Sequence, residues 1–166
     1  MNRRLMIGVA LAATLLAGQA LAAPQSFEGA WEAFHTEIPG ATTPPEFKLT
    51  IWMRVEGDKL HYHSENTTRP DTPYISDHIS TLDGKPAPFP NQTRFNQVET
   101  LVTEPNELQI LKTKDGDVIA GEFWSISPGG KTATRRGVGK NPDGKSHAYQ
   151  EHFRRVDKPW PVAAAK

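Results

Sequence analysis

The turns constrain this chain more than any other feature in it. Glu56-Gly57-Asp58-Lys59, Lys114-Asp115-Gly116-Asp117, Ser127-Pro128-Gly129-Gly130-Lys131 and Asn141-Pro142-Asp143-Gly144-Lys145 each separate short runs rich in Val, Ile, Thr and aromatic residues. An Asp-Gly pair favours the tight type I′ hairpin, and Pro and Gly supply the fixed or positive φ that turns need. No later segment keeps a helical period. Turn signals at this spacing predict an all-β fold, a sandwich or barrel of antiparallel strands. We read strands near 27–35, 47–55, 60–66, 74–82, 93–103, 107–114, 117–127, 131–138 and 147–156.

Alternation assigns faces to these strands. In Leu49-Thr50-Ile51-Trp52-Met53-Arg54-Val55 the odd positions are apolar and should face the core. Phe27, Gly29, Trp31 and Ala33 share a face, and His35 continues it toward the interior. Near 117–127 both faces are apolar, with Val118, Ala120, Trp124 and Ile126 on one and Ile119 and Phe123 on the other. That pattern predicts a central strand covered on both sides. Pro86, Pro88 and Pro90 cannot donate to a ladder, so the segment after Asp83-Gly84-Lys85 should be a surface excursion. Ile38 to Glu46, bracketed by prolines, should be a long loop, and 157–166 a flexible tail.

Residues 1–22 read as a secretory signal peptide. Arg3 and Arg4 supply the positive end, Leu5 to Leu16 the apolar run, and Ala20-Leu21-Ala22 the small-x-small pattern before a cut at Ala23. The apolar run is shorter than the roughly 20 residues a bilayer span needs, so no integral membrane segment is expected after cleavage. The expected compartment is the periplasm or the outside of a Gram-negative bacterium. One β domain over 23–156 follows, and 166 residues fit a single domain. Lys+Arg and Asp+Glu balance at 19 each, which leaves no basic footprint for nucleic acid. Without Arg3 and Arg4 the net charge becomes −2. The absence of Cys excludes disulfides, thiol catalysis and thiolate metal sites.

Gly29-Ala30-Trp31 at the first strand, the antiparallel run and Arg154-Arg155 in the last strand resemble the lipocalin-like (calycin) pattern. The stretches Thr81–Pro88, Lys114–Gly116, Ser127–Thr132 and Phe153–Arg155 are similar to those of small secreted bacterial lipocalin-like proteins. The resemblance implies a single antiparallel β-barrel or half-barrel that Trp31 closes at one end. It also implies a basic residue, Arg154 or Arg155, packed over the indole. Such a barrel can hold an apolar molecule in its mouth or interior.

His61-Tyr62-His63 is the most suggestive local motif. The two imidazoles, two residues apart on a strand, share a face that Glu65 continues, and His78, His147 or His152 could complete a metal set. The opposing reading follows from the turn. If Val55 and Leu60 pair and face inward, Tyr62 does too, and His61 and His63 face out beside Trp52 and Arg54. Asp77 and His78 are neighbours, so they point to opposite faces. No P-loop, dinucleotide fingerprint or nucleophile elbow is present.

The leading expectation is therefore extracytoplasmic binding of a small apolar or amphipathic molecule. Trp52, Tyr62, Phe95 and Trp124 would form its wall, and Arg135, Tyr149 and His35 its polar points. No cofactor is expected. The alternative is a small hydrolase or isomerase on the same barrel, using His35, His61, His63 or His78, with a metal at His61 and His63 or without one. A protein-binding module acting through the Pro-rich loops is the third reading.

Overall fold

The computed structural model describes residues 27–37 and 47–161. The signal segment with its cut, the Ile38–Glu46 loop and residues 162–166 lie outside the described residues.

Ten strands run in chain order: β1 Gly29–Glu37, β2 Leu49–Glu56, β3 Lys59–Asn66, β4 Tyr74–Thr81, β5 Asp83–Pro88, β6 Gln97–Glu104, β7 Glu107–Lys114, β8 Asp117–Ile126, β9 Thr132–Lys140 and β10 Ser146–Val156. They form one antiparallel sheet ordered β4-β3-β2-β1-β10-β9-β8-β7-β6-β5. Every neighbour is sequential except β1 with β10, whose pairing rolls the meander into a nearly closed barrel. The fold is lipocalin-like and all-β. Among the described residues no helix is long and apolar enough to cross a membrane.

The hairpins follow their turn chemistry. Asp115 and Gly116 both take positive φ, 53° and 84°, as a type I′ turn requires. Gly57 at φ 63° makes the two-residue turn after β2, and Val55 pairs with Leu60 across it.

Three expectations fail. The Pro-rich segment is not an excursion but β5, an edge strand paired to β6. The Phe89 N–H donates to the Asn96 carbonyl on the β6 side, 2.9 Å away. Pro86 and Pro88, of opposite parity, therefore turn their missing donors away from β6, where an edge tolerates them. That leaves a seam between β4 and β5, crossed by the Ser80–Thr100 hydroxyl bond of 2.7 Å from β4 to β6. Second, β8 is covered on one side only, with Phe123 45% and Val118 47% exposed. A closed barrel buries just its inner face. Third, His35 faces outward. A register shift between Ala33 and His35 reverses the parity, so Thr36 turns inward and His35 stacks on His152 at 5.7 Å.

One end of the lumen is solid. Phe27, Trp31, Ile51, Met53, Leu60, Leu108, Ile110, Trp124, Ile126 and Phe153 are almost wholly buried there. Arg155 lies over the Trp31 ring at 4.3 Å and donates to the Glu28 and Gly130 carbonyls. The indole N–H of Trp31 donates to the Phe27 carbonyl at 2.9 Å. Gly29 is obligatory beside this plug, because its φ is +110° and a Cβ would stand 2.9 Å from the Arg155 guanidinium. The neighbouring Arg154 points outward and binds Glu32. Of the two candidates for the cap over Trp31, the structure selects Arg155.

Candidate functional site

The opposite end of the barrel is hollow, with a cavity of about 610 Å³. Parity explains where it starts. On β7 the inward row runs Leu108, Ile110, Lys112, and on β8 it runs Ile126, Trp124, Glu122, Ala120. On β9 it runs Ala133, Arg135, Gly137, Gly139, and on β10 Phe153, Glu151, Tyr149, His147. In each row the apolar run gives way to one charged side chain, Lys112, Glu122, Arg135 or Glu151. The change marks the cavity floor.

Four charged side chains make that floor, and none is more than a tenth exposed. Lys112 Nζ donates to Glu122 Oε1 at 2.5 Å, and Arg135 Nε to Glu151 Oε2 at 2.5 Å. Arg135 Nη1 reaches Glu122 Oε2 at 3.3 Å and the Tyr62 hydroxyl at 3.4 Å. Two cations thus face two carboxylates, the arrangement that a low-dielectric site demands. Burial pushes the Glu122 carboxyl up, but Lys112 and Arg135 outweigh it and hold the group at about 2. Burial raises Glu151, with Arg135 opposing. The cations also rest on rings. Arg135 lies 5.3 Å from the Trp124 ring and 5.4 Å from Phe153, and Lys112 lies 5.6 Å from Phe95 and 5.7 Å from Tyr62.

Space above the floor comes from glycine. Tyr149 lies across Gly137, where a Cβ would fall 2.0 Å from its ring, and Gly139 opposes His147. Ser64 and Ser76, partners across β3 and β4, put hydroxyls on one wall. The Ser76 Oγ is buried and has no hydrogen-bond partner. Phe47, Leu49, Phe95 and Ala120 give apolar surface, and Arg69, Tyr74 and Arg94 stand exposed at the mouth.

Of the residues expected from the sequence, Tyr62, Phe95, Arg135 and Tyr149 meet in this cavity. Trp124 does not line it, being packed on Phe153 at 4.8 Å in the solid end. Trp52 is on the outer face against His63, with ring centroids 5.4 Å apart. Lys112, Glu122, Glu151, Ser64, Ser76 and the mouth arginines were missed. The polar continuation of an inward apolar row was the signal for Lys112, Glu122, Glu151 and Ser64, whereas Ser76 and the loop residues Arg69 and Arg94 carried none.

The histidines do not assemble. His61 and His63 are on the outer face of β3. His61 pairs with Glu56 at 3.2 Å, and His63 is held between Asp77 and Glu65. The chain beyond β10 crosses this face, where Trp160 covers Arg54 at 5.1 Å and Lys158 reaches Glu32 at 2.9 Å. His78 is inside, stacked on Tyr62 at 4.7 Å, with neither ring nitrogen partnered. Burial drops its pKa to about 3, so the ring is neutral near pH 7. The wall of β3 and β4 separates His78 from His63. Among the described residues no three His, Asp or Glu side chains are placed to hold a metal ion.

No family model matches the chain, and no curated protein matches it. Solved structures do. Zebrafish ileal bile acid-binding protein with cholic acid is 16% identical over 79% of this chain and 99% of its own, at a TM-score of 0.54. Caenorhabditis elegans lipid binding protein 8 is 13% identical over 82% of this chain and 100% of its own, at 0.52. A Nostoc punctiforme protein of unknown function is 16% identical at 0.54, over 79% of this chain and 48% of its own. At these identities the likeness concerns the fold alone, a lipocalin-like antiparallel barrel.

Proposed function

We propose that the protein binds one small amphipathic molecule inside the barrel. The observation that carries this reading is the cavity of about 610 Å³, apolar on part of its wall and hydrogen-bonding on its floor. Ligand sites occupy about 300–1,000 Å³ and combine apolar lining with a few placed polar groups. Ligand carbon leaving water for Phe47, Leu49 and Phe95 supplies about 25 cal/mol per Å². The zebrafish and nematode proteins, named for bile acid and lipid, support the same ligand class on this barrel shape. We further propose that binding takes place outside the cytoplasm, on the strength of the pattern from Arg3 to Ala22.

Calorimetric titration with dodecanoic acid and dodecanol tests the reading. One-to-one binding with a negative heat-capacity change is expected, weakened at least tenfold by Ala120→Trp, which fills the lumen. Absence of binding by both compounds, or an Ala120→Trp variant that binds equally well, would overturn it. Indole fluorescence is a poor reporter, since no Trp lines the cavity.

A further inference from the structure

The cavity is electrically uneven, and this selects among amphiphiles. The inference rests on the binding reading above and deepens it. At the floor, Lys112 and Arg135 are already matched by Glu122 and Glu151. Among the described residues no buried cation is left over for an incoming anion. A ligand carboxylate placed there would leave three negative groups against two positive ones among side chains no more than a tenth exposed, where like charges repel more strongly than in open water.

Hydrogen-bonding capacity is unspent nearby. The Ser76 hydroxyl is 2% exposed, lines the cavity and has no partner, and the Ser64 hydroxyl stands opposite it. The His147 Nδ1, nearer the mouth beside Arg94, is also buried and unpartnered. A buried polar atom without a partner is costly, and a ligand hydroxyl or carbonyl would satisfy it.

The mouth has the opposite character. Arg69 and Arg94 are exposed there, and the only carboxylates on the cavity wall are the two at the floor, among the described residues. Arg94 donates to the Lys140 carbonyl and keeps further N–H groups for a ligand. Arg69 makes no side-chain ion pair or hydrogen bond among the described residues.

We infer that the ligand enters with its uncharged end first. A hydroxyl or carbonyl at the buried end meets Ser76 and Ser64, and an acidic head stays at the mouth on Arg69 and Arg94. The ligand class is a carboxylate amphiphile carrying a neutral hydrogen-bonding group at its far end.

Calorimetry at neutral pH with four probes of equal chain length tests this: ω-hydroxydodecanoic acid, dodecanoic acid, dodecanedioic acid and dodecanol. The hydroxy acid is expected to bind about tenfold tighter than the diacid and several-fold tighter than dodecanoic acid. Ser76→Ala should erase the preference of hydroxyl over methyl ends. Arg69→Ala with Arg94→Ala should weaken dodecanoic acid more than dodecanol. Glu151→Gln should shift preference toward the diacid, and thermal unfolding of each variant shows that the barrel is intact. A diacid that binds wild-type protein as tightly as the hydroxy acid overturns the inference, as does a Ser76→Ala variant with unchanged ranking. Those outcomes leave amphiphile binding standing. Failure of all four probes to bind removes both.

Discussion

At one end of the barrel Trp31, Trp124 and Phe153 fill the lumen, and at the other β9 offers Gly137 and Gly139 to the same inner face. The plug is apolar, with Arg155 capping it from outside at the Trp31 ring. The hollow end is walled by serines and aromatic residues above two buried ion pairs. The packed end holds the fold together, and the opposite end of the same sheet holds the cavity in which we propose the ligand sits. Packed rings contribute dispersion and desolvation to the fold. The hollow end forgoes that packing and leaves the Ser76 hydroxyl buried without a partner.

Substitutions at the two ends break or sharpen this contrast. Trp31→Ala should cost the most, about 3–5 kcal/mol in urea unfolding, because a wholly buried indole leaves a cavity that strands on all sides hold open. A cost near that of an ordinary surface change would show that the plug is not what holds the barrel.

His78 lies under the hollow end and links stability to pH. Burial sets its folded pKa at about 3, with Lys112 also lowering it and Glu122 opposing, against 6.5 ordinarily. The unfolded chain therefore takes up the proton first as pH falls. Stability from this group is whole above about pH 6.5 and drains by about 1.4 kcal/mol per unit as pH drops toward 3. His78→Phe, a ring among the Tyr62 and Phe89 rings, should flatten that slope in unfolding curves taken from pH 7 to 4. An unchanged slope would place the acid sensitivity elsewhere.

Gly137→Ala probes the hollow end directly. The new methyl group must displace the Tyr149 ring, for about 1–3 kcal/mol and a smaller cavity, seen as lost stability together with weaker dodecanoic acid binding. The mildest contrast is between adjacent arginines. Arg155→Ala removes the cation over Trp31 and should cost about 1–2 kcal/mol. Arg154→Ala removes only an exposed pair with Glu32, worth under about 1 kcal/mol. Equal costs would remove Arg155 from the plug.

Local chemistry was legible wherever neighbours in sequence decide geometry. Gly57, Asp115 and Gly116 turn the chain as their residue types demand. The pairing of Val55 with Leu60 turns Tyr62 inward and His61 and His63 outward, as the two-residue turn implies. The strand β5 was hidden because prolines usually end ladders, and only a sheet edge facing a seam gives them a place. His35 was misplaced because one irregular residue in β1 reverses every later side chain, and nothing in Ala33-Phe34-His35 announces it.

By itself, the amino-acid order determined the hairpins and the inner and outer face of most strands, since each depends on residues a few positions apart. The tertiary structure alone decided which inward residues share a height. Lys112, Glu122, Arg135 and Glu151 come from four strands, and their meeting depends on every register from β7 to β10. Closure of β1 on β10 then sets this charged floor between a filled half and an empty one. Alternation tells which way a side chain points, while its distance along the barrel axis is a property of the whole sheet.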